Sequence, residues 1–248
     1  MDLPEFFKEY PETAVAFSGG VDSAYLLYAA GRWGARVRAY YVKSAFQPQF
    51  EWEDAQKLAA ALNVPMTTIP LEVLTEQNVA DNPPDRCYYC KKRIFSALWE
   101  QVRADGFSVL LDGTNASDDA ADRLGMRALR ELKVLSPLRL CGLTKAEIRR
   151  RSREAGLFTW DKPAYACLAT RIPAGRPIEE RLLRRTEKAE RYLFSLGFSD
   201  FRVRIEGEAA RIQVRAQQLP LLLENREKIL HYLKKEYQAV WLDLETRE

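Results

Sequence analysis

The sequence predicts an α/β fold in which a domain on a mostly parallel sheet is followed by a small α+β domain. Three observations predict it. Short apolar, β-branched runs alternate with segments of helical spacing from Thr13 to Gly156. A glycine-rich hexapeptide, Ser18 to Ser23, joins the first such run to a helical segment. The alternation then stops at residues 158–177, which carry three prolines and no clear period, and a different order of elements follows. Strands alternating with helices of this length build parallel sheets covered on both faces.

In chain order, Thr13–Phe17 reads as a buried strand and Ala24–Gly34 as the helix after the glycine loop. Val37–Val42 is the next strand, Glu51–Leu62 a helix and Val64–Pro70 a third strand. Tyr88–Ala104 has helical spacing, and Val109–Asp112 and Val134–Leu140 read as strands. Thr144 and Glu147 form a T-x-x-E capping box that opens a basic helix running to Gly156. Past the proline segment come a helix at Ile178–Leu196, strands at Phe201–Ile205 and Ala210–Val214, a helix at Leu219–Lys235 and a strand at Ala239–Leu244. The expected domains are thus 1–157 and 178–248, joined by an ordered loop at 158–177.

Composition narrows the function classes. The 248 residues are 47% hydrophobic and 29% charged, which suits a globular core and excludes a disordered or fibrous chain. With 38 Lys+Arg against 35 Asp+Glu the net charge is +3, too little to argue for bulk nucleic-acid binding. The start, MDLPEFFKEY, lacks the basic and apolar regions of a signal peptide, and no apolar run approaches the roughly 20 residues of a membrane span. A cytoplasmic protein without a membrane partner is expected. Four cysteines are too few for a disulfide scaffold, and the single histidine, His231, excludes a multi-histidine metal site.

The sharpest local signal is Ser18-Gly19-Gly20-Val21-Asp22-Ser23. Two glycines allow a tight turn and close approach to an oxyanion, the following helix offers its N-terminal N–H groups, and Ser18 and Ser23 add hydroxyls. Asp22 beside a phosphate calls for Mg²⁺ or a backbone N–H. The G-K-[ST] end of a Walker loop is missing, which disfavours γ-phosphoryl transfer. A plain glycine turn capped by Ser and Asp is the simpler alternative. These residues resemble the loop of the PP-loop ATP pyrophosphatases, which transfer AMP to a substrate oxygen and release pyrophosphate. The resemblance implies that Ser18, Gly19, Gly20, Asp22 and Ser23 hold the pyrophosphate part of ATP. It also puts Val42, Lys43 and Ser44 near the adenosine, where an ordinary strand exit would serve equally.

Cys87 and Cys90, in DRCYYCKKRIF, share one face at a helix opening. That terminus and the basic neighbours Arg86, Lys91, Lys92 and Arg93 favour thiolates, though the same cations also suit a solvated helix face. Cys167 stands in PAYACLATRIP, and Cys141, after a strand, reads as a buried small side chain. Four arrangements compete: two structural cysteines, a zinc site completed by Cys141, a dithiol redox pair, or an iron–sulfur cluster on Cys87, Cys90 and Cys167.

Four stretches carry a narrower resemblance: FSGGVDS, RCYYCKK, LDGTNASDDAADR with ELKVLSPLR, and ACLATRIPAG followed by FRVRI and ARIQV. Together they are similar to the LarE family, the pyridinium-3,5-biscarboxylic acid mononucleotide sulfurtransferases of nickel-pincer nucleotide biosynthesis. The resemblance implies adenylation of a substrate carboxylate with ATP and Mg²⁺, then replacement of AMP by sulfur. It implies a cytoplasmic homo-oligomer that takes a small nucleotide substrate and a sulfide or other sulfur donor. Cys167 matches the cysteine that surrenders its own sulfur in single-cysteine members. The added C-x-x-C pair resembles members that hold a [4Fe–4S] cluster on three cysteines and carry sulfide on the open iron.

Supporting residues follow. Gly113, Thr114, Asn115 and Asp118 leave a parallel strand at the carboxyl edge, where ligands of open α/β sheets bind; a capped strand-to-loop turn is the plainer reading. Arg202 and Arg204 are two apart and share a strand face. With Arg211 on the next strand and Arg171 beside Cys167, they are expected to clamp the substrate's phosphate and carboxylates, unless they line a solvated face. Catalytic roles then fall to Cys167, Asp22 and Arg171. Arg123 and Arg127 suit either phosphate contact or helix surface. Ala174 and Glu179 depart from the family pattern, which puts the detail of that loop in question. A PP-loop tRNA thiolase, an amide-forming synthetase of the same fold, and a non-catalytic nucleotide sensor or small redox protein are the rival classes.

Overall fold

The computed structural model describes residues 1–118 and 123–247, and the chain divides into two compact units. The first comprises Met1–Val73 and Asp85–Lys162, the second Leu74–Pro84 and the chain from Pro163 onward. The division falls inside the 158–177 segment. It also gives to the second unit residues 74–84, which the sequence reading kept with the first domain. Asn82, at φ 55°, explains that exchange. Its amide nitrogen donates to the carbonyls of Pro173 (2.8 Å) and Arg176 (3.0 Å), and the amides of Gly175 and Ile178 donate to the carbonyls of Asn82 and Ala80.

The first unit opens with helix α1 (Leu3–Glu9), which Asp2 and Glu5 close with a reciprocal capping box. Its Leu3, Phe6 and Phe7 pack into the main core with Leu26 and Leu27 of α2. Strand β1 (Glu12–Ala16), helix α2 (Val21–Arg32), strand β2 (Arg36–Lys43), helix α3 (Gln49–Ala61) and strand β3 (Met66–Pro70) follow. After the short α4 (Gln77–Ala80) of the second unit come α5 (Arg86–Ala104), β4 (Leu110–Leu111), α6 (Arg123–Glu131), α7 (Pro137–Leu140) and α8 (Lys145–Glu154). The four strands form one sheet in the order β3-β2-β1-β4, every pair parallel. The chain winds from β1 to β3 on one side, then returns to place β4 on the other. The switch point of the sheet therefore lies between β1 and β4, where open α/β sheets bind ligands beyond the strands' carboxyl ends.

The strand expected at Val134–Leu140 is not formed. Leu135 alone bridges Leu111 in parallel, and Pro137 opens α7 instead. Proline donates no ladder hydrogen bond, and its fixed φ suits a first helical turn. At α8, Thr144 caps the amide of Glu147 as expected. The reciprocal half of the box is absent, because the Glu147 carboxylate bonds Arg150 and Arg151.

In the second unit, a 3₁₀ turn at Leu168–Arg171 precedes α9 (Glu180–Ser195). Antiparallel β5 (Arg202–Glu206) and β6 (Ala209–Gln213) form a hairpin, and β7 (Ala239–Leu242) adds in parallel to β6. The helix expected over Leu219–Lys235 is two, α10 (Leu219–Glu224) and α11 (Arg226–Leu233), separated at Asn225. Asn225 donates its side-chain amide to the carbonyl of Leu221 (3.0 Å), the competition with helical bonding that favours Asn at helix ends.

Thr144→Ala removes the α8 cap and is expected to lower unfolding free energy by about 1 kcal/mol, measured by urea denaturation followed by circular dichroism.

Candidate active site

At the carboxyl end of β1 the chain reverses through Ser18, Gly19 and Gly20 into α2. Gly19 has φ +74°, and a Cβ there would lie 3.1 Å from the Ala55 Cβ of α3, so conformation and space both require glycine. Ser23 draws the loop together: its hydroxyl donates to the Gly20 carbonyl (3.2 Å), accepts from the Ser18 amide (3.3 Å) and lies 3.1 Å from the Ser18 hydroxyl. Gly20, the N-cap of α2, has no side chain to cover the first-turn N–H groups. They and the helix dipole face the switch point as an anion cradle.

The segment after β4 closes against this loop. A Cβ on Gly113 would stand 2.8 Å from the Ser23 amide nitrogen, so only glycine permits the approach. Asp112 is buried and accepts from the Ser136 and Thr114 hydroxyls; burial raises its carboxyl above the usual range against the pull of those donors. The Asn115 backbone amide donates to the Asp118 carboxylate (2.7 Å), and its side-chain Oδ1 accepts from the Ser117 amide (2.8 Å). The side-chain nitrogen of Asn115 is buried without a hydrogen-bond partner. The sequel of this motif, Asp119 to Asp122, lies outside the described residues, as does the side chain of Arg123.

Asp22 points one carboxylate oxygen at the Lys145 ammonium, while the other is buried without a hydrogen-bond partner. Burial raises the Asp22 carboxyl, with Lys145 pulling the other way. Ser44 is committed to its own turn, its amide and hydroxyl both donating to Gln47 and its oxygen accepting from Phe46.

Cys87 and Cys90 both lie in the first turn of α5, Cys87 exposed and Cys90 half-buried, with the Arg86 guanidinium 3.9 Å from the Cys87 sulfur. Cys141 is half-buried against the core, and burial raises its thiol. Cys167 belongs to the second unit. Among the described residues no three cysteine, histidine or acidic side chains gather into a group able to hold a metal ion.

In the second unit Cys167 is the half-buried cap of the 3₁₀ turn. Arg171, expected to clamp substrate, is buried and already engaged. It donates from Nε and Nη2 to Glu190 (2.9 and 3.1 Å) and from Nη1 to the Ala166 carbonyl, the Cys167 carbonyl and the Thr170 hydroxyl (2.8, 3.3 and 2.8 Å). Arg202 and Arg204 do share a face of β5, but they too serve the chain. Arg202 donates to the Phe201 and Ala164 carbonyls (both 2.6 Å), and Arg204 to the Thr170 carbonyl (2.9 Å). Burial pushes Arg202 down to about 10 and also lowers Arg204, with the Arg171 charge adding to both. Arg211, paired with Arg204 across the hairpin, faces Glu206 and Asp243 at 4.0 and 3.7 Å. Breaking an ion pair as buried as Arg171–Glu190 costs about 3–5 kcal/mol.

Sequence reasoning missed Lys145, Asp112 and Glu190. Lys145 follows a recognised cap and Asp112 ends a recognised strand, so both positions were marked; Glu190 lies mid-helix and carried no signal.

Residues 12–81 match the family described as queuosine biosynthesis protein QueC. That stretch holds β1 to β3 and the glycine loop and stops before every cysteine. An uncharacterized protein of Synechocystis, slr1717, is 33% identical over 98% of this chain and 92% of its own length. The pyridinium-3,5-bisthiocarboxylic acid mononucleotide synthase of Lactiplantibacillus plantarum is 31% identical over 96% of this chain and 87% of its own. The chain belongs to that synthase family, the LarE family. It is thereby an ATP-dependent sulfurtransferase. A tRNA-specific 2-thiouridylase of Thermotoga petrophila is 24% identical over 61% of this chain and 54% of its own length, which marks a more distant kinship through part of the molecule.

Gly113→Ala is expected to cost about 1–3 kcal/mol of stability and to abolish thermal stabilisation by ATP, read by differential scanning fluorimetry with and without nucleotide. Asp112→Asn tests the buried carboxylate. Because its folded-state pKa is raised, the wild type gains stability from protonating Asp112 as pH falls. The melting-temperature advantage of the Asn variant is therefore expected to be largest at neutral pH and to shrink on acidification.

Proposed function

We propose that this enzyme adenylates a carboxylate of pyridinium-3,5-biscarboxylic acid mononucleotide and converts it to a thiocarboxylate, with Cys167 as the sulfur-handling residue. The observation that carries the reading is the cradle between β1 and β4, shaped by Gly19 and Gly113, in a chain that aligns over nearly its whole length with a synthase named for the dithio product.

The first half of the reaction draws on Ser18, Gly20 and the first turn of α2, whose N–H groups suit the β- and γ-phosphates as they separate from the α-phosphorus. Asp22 fits a hard cation: one buried carboxylate oxygen lacks a partner, and oxygen donors suit Mg²⁺, which when bound neutralises charge on the phosphates. Lys145 then balances Asp22 and the polyphosphate together. Thr114, Asn115 and Asp118 line the β4 side, with the side-chain nitrogen of Asn115 available to a ligand oxygen. In the second half, sulfur attacks the acyl carbon and AMP leaves with the bonding pair. Of the four arginines named for the substrate, Arg211 is held by two longer ion pairs to Glu206 and Asp243 and is the most exposed, which suits a substrate phosphate. Arg202 spends both terminal nitrogens on carbonyls, whereas Arg204 spends Nη1 on Thr170.

A [4Fe–4S] cluster on Cys87, Cys90 and Cys167 belongs to this proposal as its sulfur source. Anaerobic purification with iron and sulfide analysis decides the matter. The expected result is brown protein with about four irons per chain, and loss of colour in Cys87→Ala. Iron-free wild type whose Cys167 loses the mass of H₂S on turnover replaces the cluster by sacrifice of that cysteine. ATP-dependent pyrophosphate release on adding the biscarboxylate mononucleotide, kept in Cys167→Ser without thiocarboxylate formation, supports the function; release only with tRNA overturns it.

A further inference from the structure

Several of the hydrogen bonds around Cys167 lead back to one carboxylate. Glu190, in the middle of α9, is 1% exposed. Its Oε1 accepts from Arg171 Nε (2.9 Å) and from the Val203 amide of β5 (2.9 Å); its Oε2 accepts from Arg171 Nη2 (3.1 Å) and from the Tyr165 hydroxyl. Arg171, held this way, turns Nη1 toward the carbonyls of Ala166 and Cys167. Two guanidiniums lie over the Tyr165 ring, Arg171 at 4.6 Å and Arg202 at 5.2 Å from its centroid. Arg202 and Arg204 fix the segment further along, at Ala164 and Thr170.

We propose that Glu190 is a positioning residue for Cys167: its buried carboxylate orients Arg171 and Tyr165, and these hold the backbone that presents the thiol. This rests on the assignment of Cys167 to sulfur handling. The geometry separates the role from plain core packing. An apolar pair would fill the same volume, but it would take the Arg171 donor from the Ala166 carbonyl and leave the Cys167 carbonyl to the Thr170 amide and hydroxyl, loosening the turn that carries the thiol. Attack on an acyl carbon is sensitive to ångström displacements of the attacking atom, so loss of the clamp lowers the rate of transfer and leaves activation of the carboxylate intact.

The test uses the full chain carrying Glu190→Gln, which turns one acceptor of Arg171 Nη2 and Tyr165 into a donor. In the folded variant, amide exchange of the peptide covering residues 164–172 is expected to accelerate about tenfold or more, while peptides from α2 and β1 stay as in the wild type. Single-turnover thiocarboxylate formation is expected to fall about tenfold or more, with pyrophosphate release on substrate activation unchanged. Tyr165→Phe, which removes one hydroxyl and keeps the ring, shows the same pattern at lower amplitude and serves if the Gln variant does not fold. Unchanged exchange at 164–172 in either folded variant overturns the clamp. Faster exchange there with transfer at the wild-type rate keeps the clamp and instead removes Cys167 from the chemistry.

Discussion

A guanidinium with no exposed surface stays charged and needs acceptors buried with it for its donors, and that requirement organises the second unit. Arg171 and Glu190 are 0% and 1% exposed at their side chains. Charges so buried are tolerated when every donor and acceptor is used. Here the remaining capacity goes to the Ala166 and Cys167 carbonyls, the Thr170 hydroxyl, the Val203 amide and Tyr165. Helix α9, strand β5 and the 3₁₀ turn thereby meet at one point. Such a pair gives less net stability than well-packed apolar side chains would. What it contributes is a single arrangement of a segment whose own secondary structure is one 3₁₀ turn.

The first unit solves a different problem by a different means. A polyphosphate cradle needs backbone N–H groups close together and unobstructed, so its constraint is steric. Gly19 makes room against Ala55, and Gly113 makes room against Ser23. Both contacts join elements remote in sequence, tying α3 and the β4 exit to one turn. Charge enters second, in Asp22 and Lys145. Burial penalises the Asp22 carboxylate and Lys145 offsets part of that cost, which suits a group awaiting a cation and a polyanion.

These two solutions differ in how far a sequence displays them. The glycine loop and the α8 cap are local, so Ser18 to Ser23 and Thr144 were legible as written. Gly113 was legible as a strand exit, but its reason, the Ser23 backbone, is supplied by the fold. Lys145 reaches Asp22 across 123 positions of chain, which no spacing rule addresses. Val134–Leu140 has the apolar content of a strand, and Pro137 overrode it. The arginines show the limit most clearly. Alternation placed Arg202 and Arg204 on one face of β5, which is correct, and a polar face of a strand ordinarily meets solvent or ligand. This face is instead covered by residues 164–170, an irregular segment whose carbonyls have no ladder to satisfy them. Long side chains with several donors are the natural partners for such backbone.

Division of labour between the units also explains what the relatives share. The stretch matching the queuosine biosynthesis family ends at residue 81, before any cysteine, so that kinship concerns the nucleotide cradle alone. The 2-thiouridylase of Thermotoga petrophila aligns over 61% of the chain, whereas the Lactiplantibacillus plantarum synthase aligns over 96%. Adenylation makes the same demand on a protein whatever oxygen receives the AMP, since the phosphate chemistry and its geometry do not change. Delivery of sulfur depends on the shape of the acceptor and on where the donor atom stands. Cys167, proposed above to handle the sulfur, stands in the part of the chain where Arg171 and Glu190 are buried together.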